Sequence, residues 1–98
     1  MANVILEISY EVDAEKRQEY LALVREMTDH FRRVRNKNYG VFEVKGKQNL
    51  FVEQFVCSSM EEYEGLEDDL DEKSEELVNR LNALVKEGST RYSTLVAV

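Results

Sequence analysis

Two glutamates on predicted strands have the chemistry of a proton-transfer pair. Glu7 lies in an alternating segment near the N-terminus, and Glu53 lies in an apolar segment in the middle of the chain. If both face one cavity together with Ser9, burial and mutual repulsion would raise at least one carboxyl pKa and create a proton acceptor. In the alternative interpretation, one of the two faces solvent or pairs with Arg35 or Arg91. Glu53 is therefore a candidate catalytic residue, and Glu7 and Ser9 are candidate ligand-binding residues.

The single histidine and the single cysteine are the other candidates for chemistry. His30 has an ordinary pKa near neutrality, so it could act as a catalytic base or as an axial haem ligand at a cavity mouth. Its alternative role is that of a half-exposed residue at a helix edge. Cys57 ends a strand just before a helix start, where a thiolate could be stabilised, but a small buried hydrophobe is the alternative. One His and one Cys on different elements do not supply a structural metal site, so we predict no metal.

Acidic residues are concentrated in one segment. Ten of the residues 61–76 are Asp or Glu and one is Lys. Carboxylates near a helix start are favoured by the helix dipole, so a solvated helix start explains the segment. Cation binding is the alternative, but the segment lacks the spacing of a calcium-binding loop.

Composition excludes several classes of protein. The chain has 98 residues and a net charge of −7, which fits one domain spanning residues 1–98 and disfavours binding to nucleic acid or to anionic lipid. It has no apolar run long enough to span a membrane and no Gly-rich phosphate loop, so we expect no membrane segment and no cofactor. The N-terminus continues directly into a strand pattern, so we expect no signal peptide. One cysteine fits a reducing cytoplasm.

Hydrophobic periodicity predicts the order strand, helix, strand, strand, helix, strand. Asp13 is the expected cap of the first helix and Gly88 the expected C-cap of the second. Gly65 in the second helical segment predicts a short helix near 60–68 and a longer one after it. The predicted strands cover residues 4–12, 41–45, 50–57 and 92–98, and the predicted helical segments cover residues 13–36 and 60–86.

A βαββαβ order is typical of an α+β, ferredoxin-like fold, in which a four-stranded antiparallel sheet carries both helices on one face. The other face then needs a cover, because the third strand is apolar on both sides. In addition, the alternation of the first and last strands places Ile5, Leu95 and Ala97 on the face away from the helices. A second copy of the chain is the economical cover, so we predict a homodimer. We also expect that face to carry Glu7, Ser9 and Glu53 as the polar wall of a small cavity.

Several segments resemble the dimeric α/β-barrel superfamily, which includes the antibiotic-biosynthesis-monooxygenase-like domains. The resemblance covers nearly the whole chain. Its strongest part is Phe51-Val-Glu-Gln-Phe55 followed by Ser59, Met60 and Glu61-Glu-Tyr63, with weaker parts at Val4–Val12 and Tyr39–Glu43. Within the superfamily, the chain is similar to the soluble domain that follows the membrane helices of some major-facilitator-like transporters.

The resemblance implies a homodimer with a pocket in each subunit. Some members are cofactor-independent oxygenases of aromatic or quinol-like compounds, and some degrade haem. Glu53 and Phe55 match the family's Glu and aromatic positions, and Tyr39 is a further polar group to test. The chain departs from the family in having no Trp and in having Leu66-Glu67 where a His often follows.

Two functions are consistent with these observations. In the first, the chain is a homodimeric, monooxygenase-like protein whose pocket takes a small apolar or aromatic molecule. In the second, it is a non-catalytic dimerisation, ligand-sensing or partner-binding module that uses the acidic helix at 61–76.

Overall fold

A four-stranded antiparallel sheet carries the helices on one of its faces in the computed structural model of this chain, which describes residues 3–68 and 70–98. The strands are β1 (Val4–Glu11), β2 (Tyr39–Glu43), β3 (Leu50–Cys57) and β4 (Arg91–Val96), and the helices are α1 (Arg17–Asp29), α2 (Met60–Asp68) and α3 (Glu72–Leu84). The strand order is β2-β3-β1-β4. The predicted α+β, ferredoxin-like βαββαβ fold is therefore confirmed.

The first helical segment is less regular than its sequence pattern predicts. A 3₁₀ turn at Ala14–Lys16 precedes α1, and a π-helical turn at His30–Val34 follows it. Asp13 makes no side-chain cap, contrary to the expectation. In the π turn the Arg35 amide donates to the carbonyl of His30 at 2.9 Å. His30 and Phe31, the first two residues of this turn, are both buried.

The second helical segment is divided as predicted. Ser59 Oγ caps α2 by accepting from the Glu62 amide at 3.1 Å, and the Glu62 carboxylate accepts from Ser58 N and Ser58 Oγ. α3 begins with Asp71, whose carboxylate accepts from the Ser74 amide at 2.8 Å. Gly88 is not its C-cap, because α3 ends at Leu84. Gly88 instead takes a φ of +79° in the turn before β4.

The core lies between the sheet and the helices. α1 contributes Tyr20, Leu23 and Met27, and α3 contributes Leu77 and Leu81. β2 starts two residues earlier than predicted, because Tyr39 pairs with Phe55 of β3 and is buried. Among the described residues, no helix is both long enough and apolar enough to cross a membrane.

The opposite face of the sheet has no helix over it among the described elements. Strand register places Ile5 beside Leu95 and Phe42 beside Val52 on this face, which we call the open face. Phe42 is 55% exposed and Leu95 is 47% exposed. The predicted apolar second face is therefore present.

Candidate functional site

A cavity of about 560 Å³ lies between the helix-facing side of the sheet and helices α2 and α3. Its volume is within the range of small-molecule sites, roughly 300–1,000 Å³. Most of its wall is apolar or aromatic, formed by residues that include Leu6, Ile8, Tyr10, Met27, Phe31, Phe55, Tyr63, Leu66, Val78, Leu81 and Tyr92. The charged side chains on this wall are those of Arg35, Lys37, Glu53 and Glu64.

Glu53 is the polar centre of the cavity. It pairs with Ile8 in the sheet and faces the helices, with only 4% of the residue exposed. The Tyr39 hydroxyl donates to its Oε1 at 2.7 Å. Burial raises the pKa of Glu53, and hydrogen bonds from Tyr39 and Tyr10 oppose that rise. The net effect is a carboxyl group that holds its proton more tightly than an ordinary glutamate does.

Three tyrosine hydroxyls lie near this carboxyl group, one from the cavity wall (Tyr10) and two from outside it (Tyr20 and Tyr39). Tyr10 Oη and Tyr20 Oη lie 2.8 Å apart and are buried. Burial raises the pKa of Tyr10, Tyr20 and Tyr39, so these phenols stay protonated at neutral pH and can donate hydrogen bonds. Tyr39 does not line the cavity, so it positions Glu53 from outside the ligand space.

Glu7 and Ser9 lie on the other side of the sheet. Register pairs Glu7 with Gln54, which donates to the Glu7 carboxylate at 3.1 Å, whereas Glu53 pairs with Ile8. The expectation that Glu53 shares a face with Glu7 and Ser9 is therefore wrong. The structure brings Glu53, Tyr39 and Phe55 together, and it leaves Glu7 and Ser9 on the open face.

His30 joins two helices and does not line the cavity. It is 7% exposed, so the alternative of a half-exposed helix-edge residue is wrong. Its Nε2 lies 3.1 Å from Asp71 Oδ1 and 3.2 Å from Ser74 Oγ. Hydrogen bonds from Ser74 and His30 hold the pKa of Asp71 well below its usual range. The contacts tie the end of the first helical segment to the start of α3.

We expect His30→Ala to reduce the free energy of unfolding by about 2 kcal/mol, because buried hydrogen-bonding groups lose their partner and a small void forms. Urea denaturation followed by circular dichroism measures this change. Arg32→Ala, on the exposed side of the same π turn, is the matched control. Unchanged stability for His30→Ala would contradict the tethering role.

Cys57 is a small buried hydrophobic residue, as the alternative interpretation predicts. The residue is 1% exposed, and burial raises the pKa of its thiol, which disfavours the thiolate. Within residues 3–68 and 70–98, no group of three or more His, Cys, Asp or Glu is arranged to hold a metal ion.

Several acids of the 61–76 segment have partners inside the molecule. Glu76 lies 3.6 Å from both Lys73 and Arg80, and Asp71 and Glu62 cap their helices. Asp69, which belongs to the same segment, lies outside the described residues. Asp71 and Glu62 therefore stabilise helix starts, as the helix-dipole interpretation expects, and Glu76 pairs with bases of its own helix.

The position of Glu53 gives a pH dependence whose sign is defined. The folded-state pKa of Glu53 lies above the ordinary value of 4.5. Protonated Glu53 therefore contributes stability that is fully present below pH 4.5 and is lost as the pH rises through the folded-state pKa. We expect wild-type stability relative to Glu53→Gln to fall by up to about 1.4 kcal/mol per pH unit inside that window. Urea titrations of both proteins across the window measure the difference. A difference that does not vary with pH would show that the folded-state pKa is ordinary.

The sequence did not reveal the cationic part of the cavity wall. Arg35 and Lys37 follow the π turn, on either side of Asn36, whose φ is +55°. The alternation of β1 already places Tyr10 beside Ile8 on the inner face, so Tyr10 could have been identified as a wall residue. Tyr63 and Tyr92 come from α2 and β4, and only the tertiary structure brings them together.

Comparison with solved structures shows the same architecture. A NIPSNAP family protein from Agrobacterium tumefaciens is 22% identical, with a TM-score of 0.75 over 98% of this chain and 86% of that one. SnoaB, a cofactor-independent oxygenase from Streptomyces nogalater, is 14% identical, with a TM-score of 0.75 over 97% of this chain and 92% of that one. An antibiotic biosynthesis monooxygenase is 20% identical, with a TM-score of 0.75 over 100% and 99%.

No protein-family model matches the sequence, and no curated protein matches it. At these low identities the structural likeness defines the fold and leaves the activity to be argued from the site. The resemblance inferred from the sequence is confirmed at that level: the chain has the ferredoxin-like fold of the antibiotic-biosynthesis-monooxygenase-like and NIPSNAP proteins.

Proposed function

We propose that this chain is a cofactor-independent oxygenase that hydroxylates a hydroquinone or a similar phenol in the cavity. The observation that carries the proposal is Glu53, a nearly buried carboxyl group with a raised pKa on an otherwise apolar and aromatic wall. A carboxylate whose pKa is raised toward the working pH is an effective general base. SnoaB, a cofactor-independent oxygenase with the same fold, adds support.

The proposed reaction balances without a further co-reactant. Glu53 accepts a phenolic proton, and the resulting electron-rich phenolate is the species that donates electrons to dioxygen. One oxygen atom forms a new bond to a ring carbon that loses its hydrogen, and the other leaves as water. A hydroquinone and one dioxygen thus give a hydroxyquinone and one water. The Tyr39 hydroxyl, which donates to Oε1, holds the Glu53 carboxyl group in place on the cavity wall.

Naphthohydroquinone is a suitable test substrate, because it combines an aromatic body with two phenolic hydroxyls. We expect the protein to consume dioxygen and to form hydroxynaphthoquinone carrying one atom from labelled dioxygen, detected by mass spectrometry. Uncatalysed oxidation gives naphthoquinone and hydrogen peroxide instead. Binding of the quinol with no hydroxylated product would contradict the enzymatic proposal and favour the ligand-sensing module.

We further propose that the chain works as a homodimer joined through the open face. The argument rests on the apolar side chains of this face: Phe42 and Leu95 are exposed at its edges, and the partly buried Val52 lies between them. A second copy packed around a two-fold axis would bury these side chains while leaving the cavity on the other side of each sheet accessible. Solution mass by light scattering tests this assembly.

A further inference from the structure

The cavity wall contains cations as well as an acid. Arg35 and Lys37 both line it, and they come from the short connection between the π turn and β2. Asn36, which lies between them, has a left-handed backbone with a φ of +55°. Two positive side chains therefore lie on the wall of a cavity whose remaining surface is mostly apolar.

These cations lie in a protein of opposite overall charge. The chain carries a net charge of −7, so a cationic patch on a ligand cavity is not a by-product of general composition. Beyond roughly 10 Å the repulsion of an anionic ligand by the net charge is screened in salt, whereas contact interactions inside the cavity are screened much less. The local cations therefore determine which ligand charge is preferred once the ligand has entered.

The acids near these cations differ from them in exposure. The Arg35 side chain is only 11% exposed, and its guanidinium lies 3.4 Å from Asp71 Oδ1, which fixes it in place. Lys37 is partly buried, while Glu64, the acid that shares the wall with them, is exposed. Charges with less access to water interact more strongly with a ligand. Asp71 beside Arg35 and Glu62 near Lys37 offset part of the positive charge from outside the cavity wall, and Lys37 and Arg35 are the cations that a ligand in the cavity contacts.

We infer that the substrate is an aromatic acid, whose carboxylate is bound by Lys37 and Arg35 while its phenolic part lies against Glu53. The aromatic residues Phe31, Phe55 and Tyr63 supply the flat apolar surface between the two ends. This inference rests on the proposed quinol oxygenase function and specifies its substrate class. Lys37 and Arg35 act as specificity-determining residues in this arrangement, and Glu53 remains the catalytic residue.

A matched pair of ligands tests the charge preference directly. One ligand is a naphthohydroquinone that carries a carboxylate on its ring, and the other is the corresponding primary amide. The two compounds have nearly the same shape and differ in charge. We expect the wild-type protein to bind the carboxylate at least about fivefold more tightly in anaerobic calorimetry, because charge-assisted hydrogen bonds are stronger than neutral ones. The advantage should decrease as sodium chloride is raised, while the affinity for the amide stays constant.

Variants assign the preference to the cavity cations. Lys37→Gln should remove most of the preference for the carboxylate, with a much smaller effect on the affinity for the amide, and Lys37→Arg should retain the preference. Lys47→Gln, in the exposed turn between β2 and β3, changes the net charge equally and is the control. Lys37 is the residue of choice because Arg35 also contacts Asp71, and its replacement could disturb folding.

The outcomes separate this inference from the proposed function. Equal binding of carboxylate and amide by the wild-type protein, or equal effects of Lys37→Gln and Lys47→Gln, would overturn the inference while leaving quinol binding intact. Failure of both compounds and of naphthohydroquinone itself to bind would overturn the proposed function, and the inference with it.

Discussion

Glu53→Gln is expected to lower the rate of naphthohydroquinone oxygenation by about 10²–10⁴-fold, the usual contribution of a positioned general base. The amide keeps the shape of the side chain and can still accept from the Tyr39 hydroxyl, so the wall of the cavity is preserved. It cannot take a phenolic proton. The affinity for the quinol should stay within a few fold of wild type, so the loss falls on turnover. Oxygen uptake and product analysis under saturating substrate measure it.

Glu7→Gln is the matched control for this experiment. Glu7 lies on the strand next to Glu53 and is partly buried, but its carboxylate is on the open face, where Gln54 donates to it. The substitution makes the same chemical change on the open face, away from the cavity. We expect its activity to match that of wild type. Equal losses in the two variants would show that the carboxylates act through stability rather than through proton transfer.

The fold could be predicted because its determinants are local. β1 alternates Val4, Leu6, Ile8 and Tyr10 inward, and a period of two residues depends only on the pleat of a strand. The short α2 and the longer α3 likewise follow from capping groups and from a helical repeat that can be read within the segment. Element order then leaves few topologies, and the ferredoxin-like one is the simplest.

The face occupied by Glu53 depends on a contact between strands. Strand parity places Glu53 between Phe51 and Phe55 on the helix side, against the general tendency of a carboxylate to face water. That tendency is overcome because Tyr39, on the neighbouring strand, supplies a hydroxyl at 2.7 Å. A buried acid is tolerated only where such a donor exists, and the donor cannot be identified from the third strand alone.

The π turn is also a product of tertiary structure. An uninterrupted apolar stripe predicts one regular helix, and nothing in the residues around His30 indicates a wider turn. His30 is instead held by Asp71 and Ser74, which lie more than forty positions further along the chain. The wider turn also sets where Arg35 and Lys37 emerge, so the cationic wall of the cavity could not be predicted from local pattern.

Val52→Lys is expected to convert a homodimer into a monomer. Val52 lies in the middle of the open face, beside Ser9 on one side and Phe42 on the other. In the proposed dimer its side chain faces the partner copy, so the substitution would place a long charged side chain in the apolar part of the interface and remove its ammonium group from water. Such a group costs about 3 kcal/mol or more, which raises the dissociation constant by about a hundredfold or more. In the monomer the lysine is hydrated and the cost disappears.

Light scattering from about 1 to 100 µM, which brackets typical dimer dissociation constants, measures the effect. Val34→Lys is the control, because Val34 is 65% exposed on the π turn and the substitution adds the same charge away from the open face. A wild-type monomer throughout this range would contradict the proposed dimer. A Val52→Lys protein that keeps the mass of two chains would place the interface elsewhere. A monomeric Val52→Lys protein that still oxygenates naphthohydroquinone would show that each cavity works alone, because Glu53 and its tyrosine partners all come from one chain.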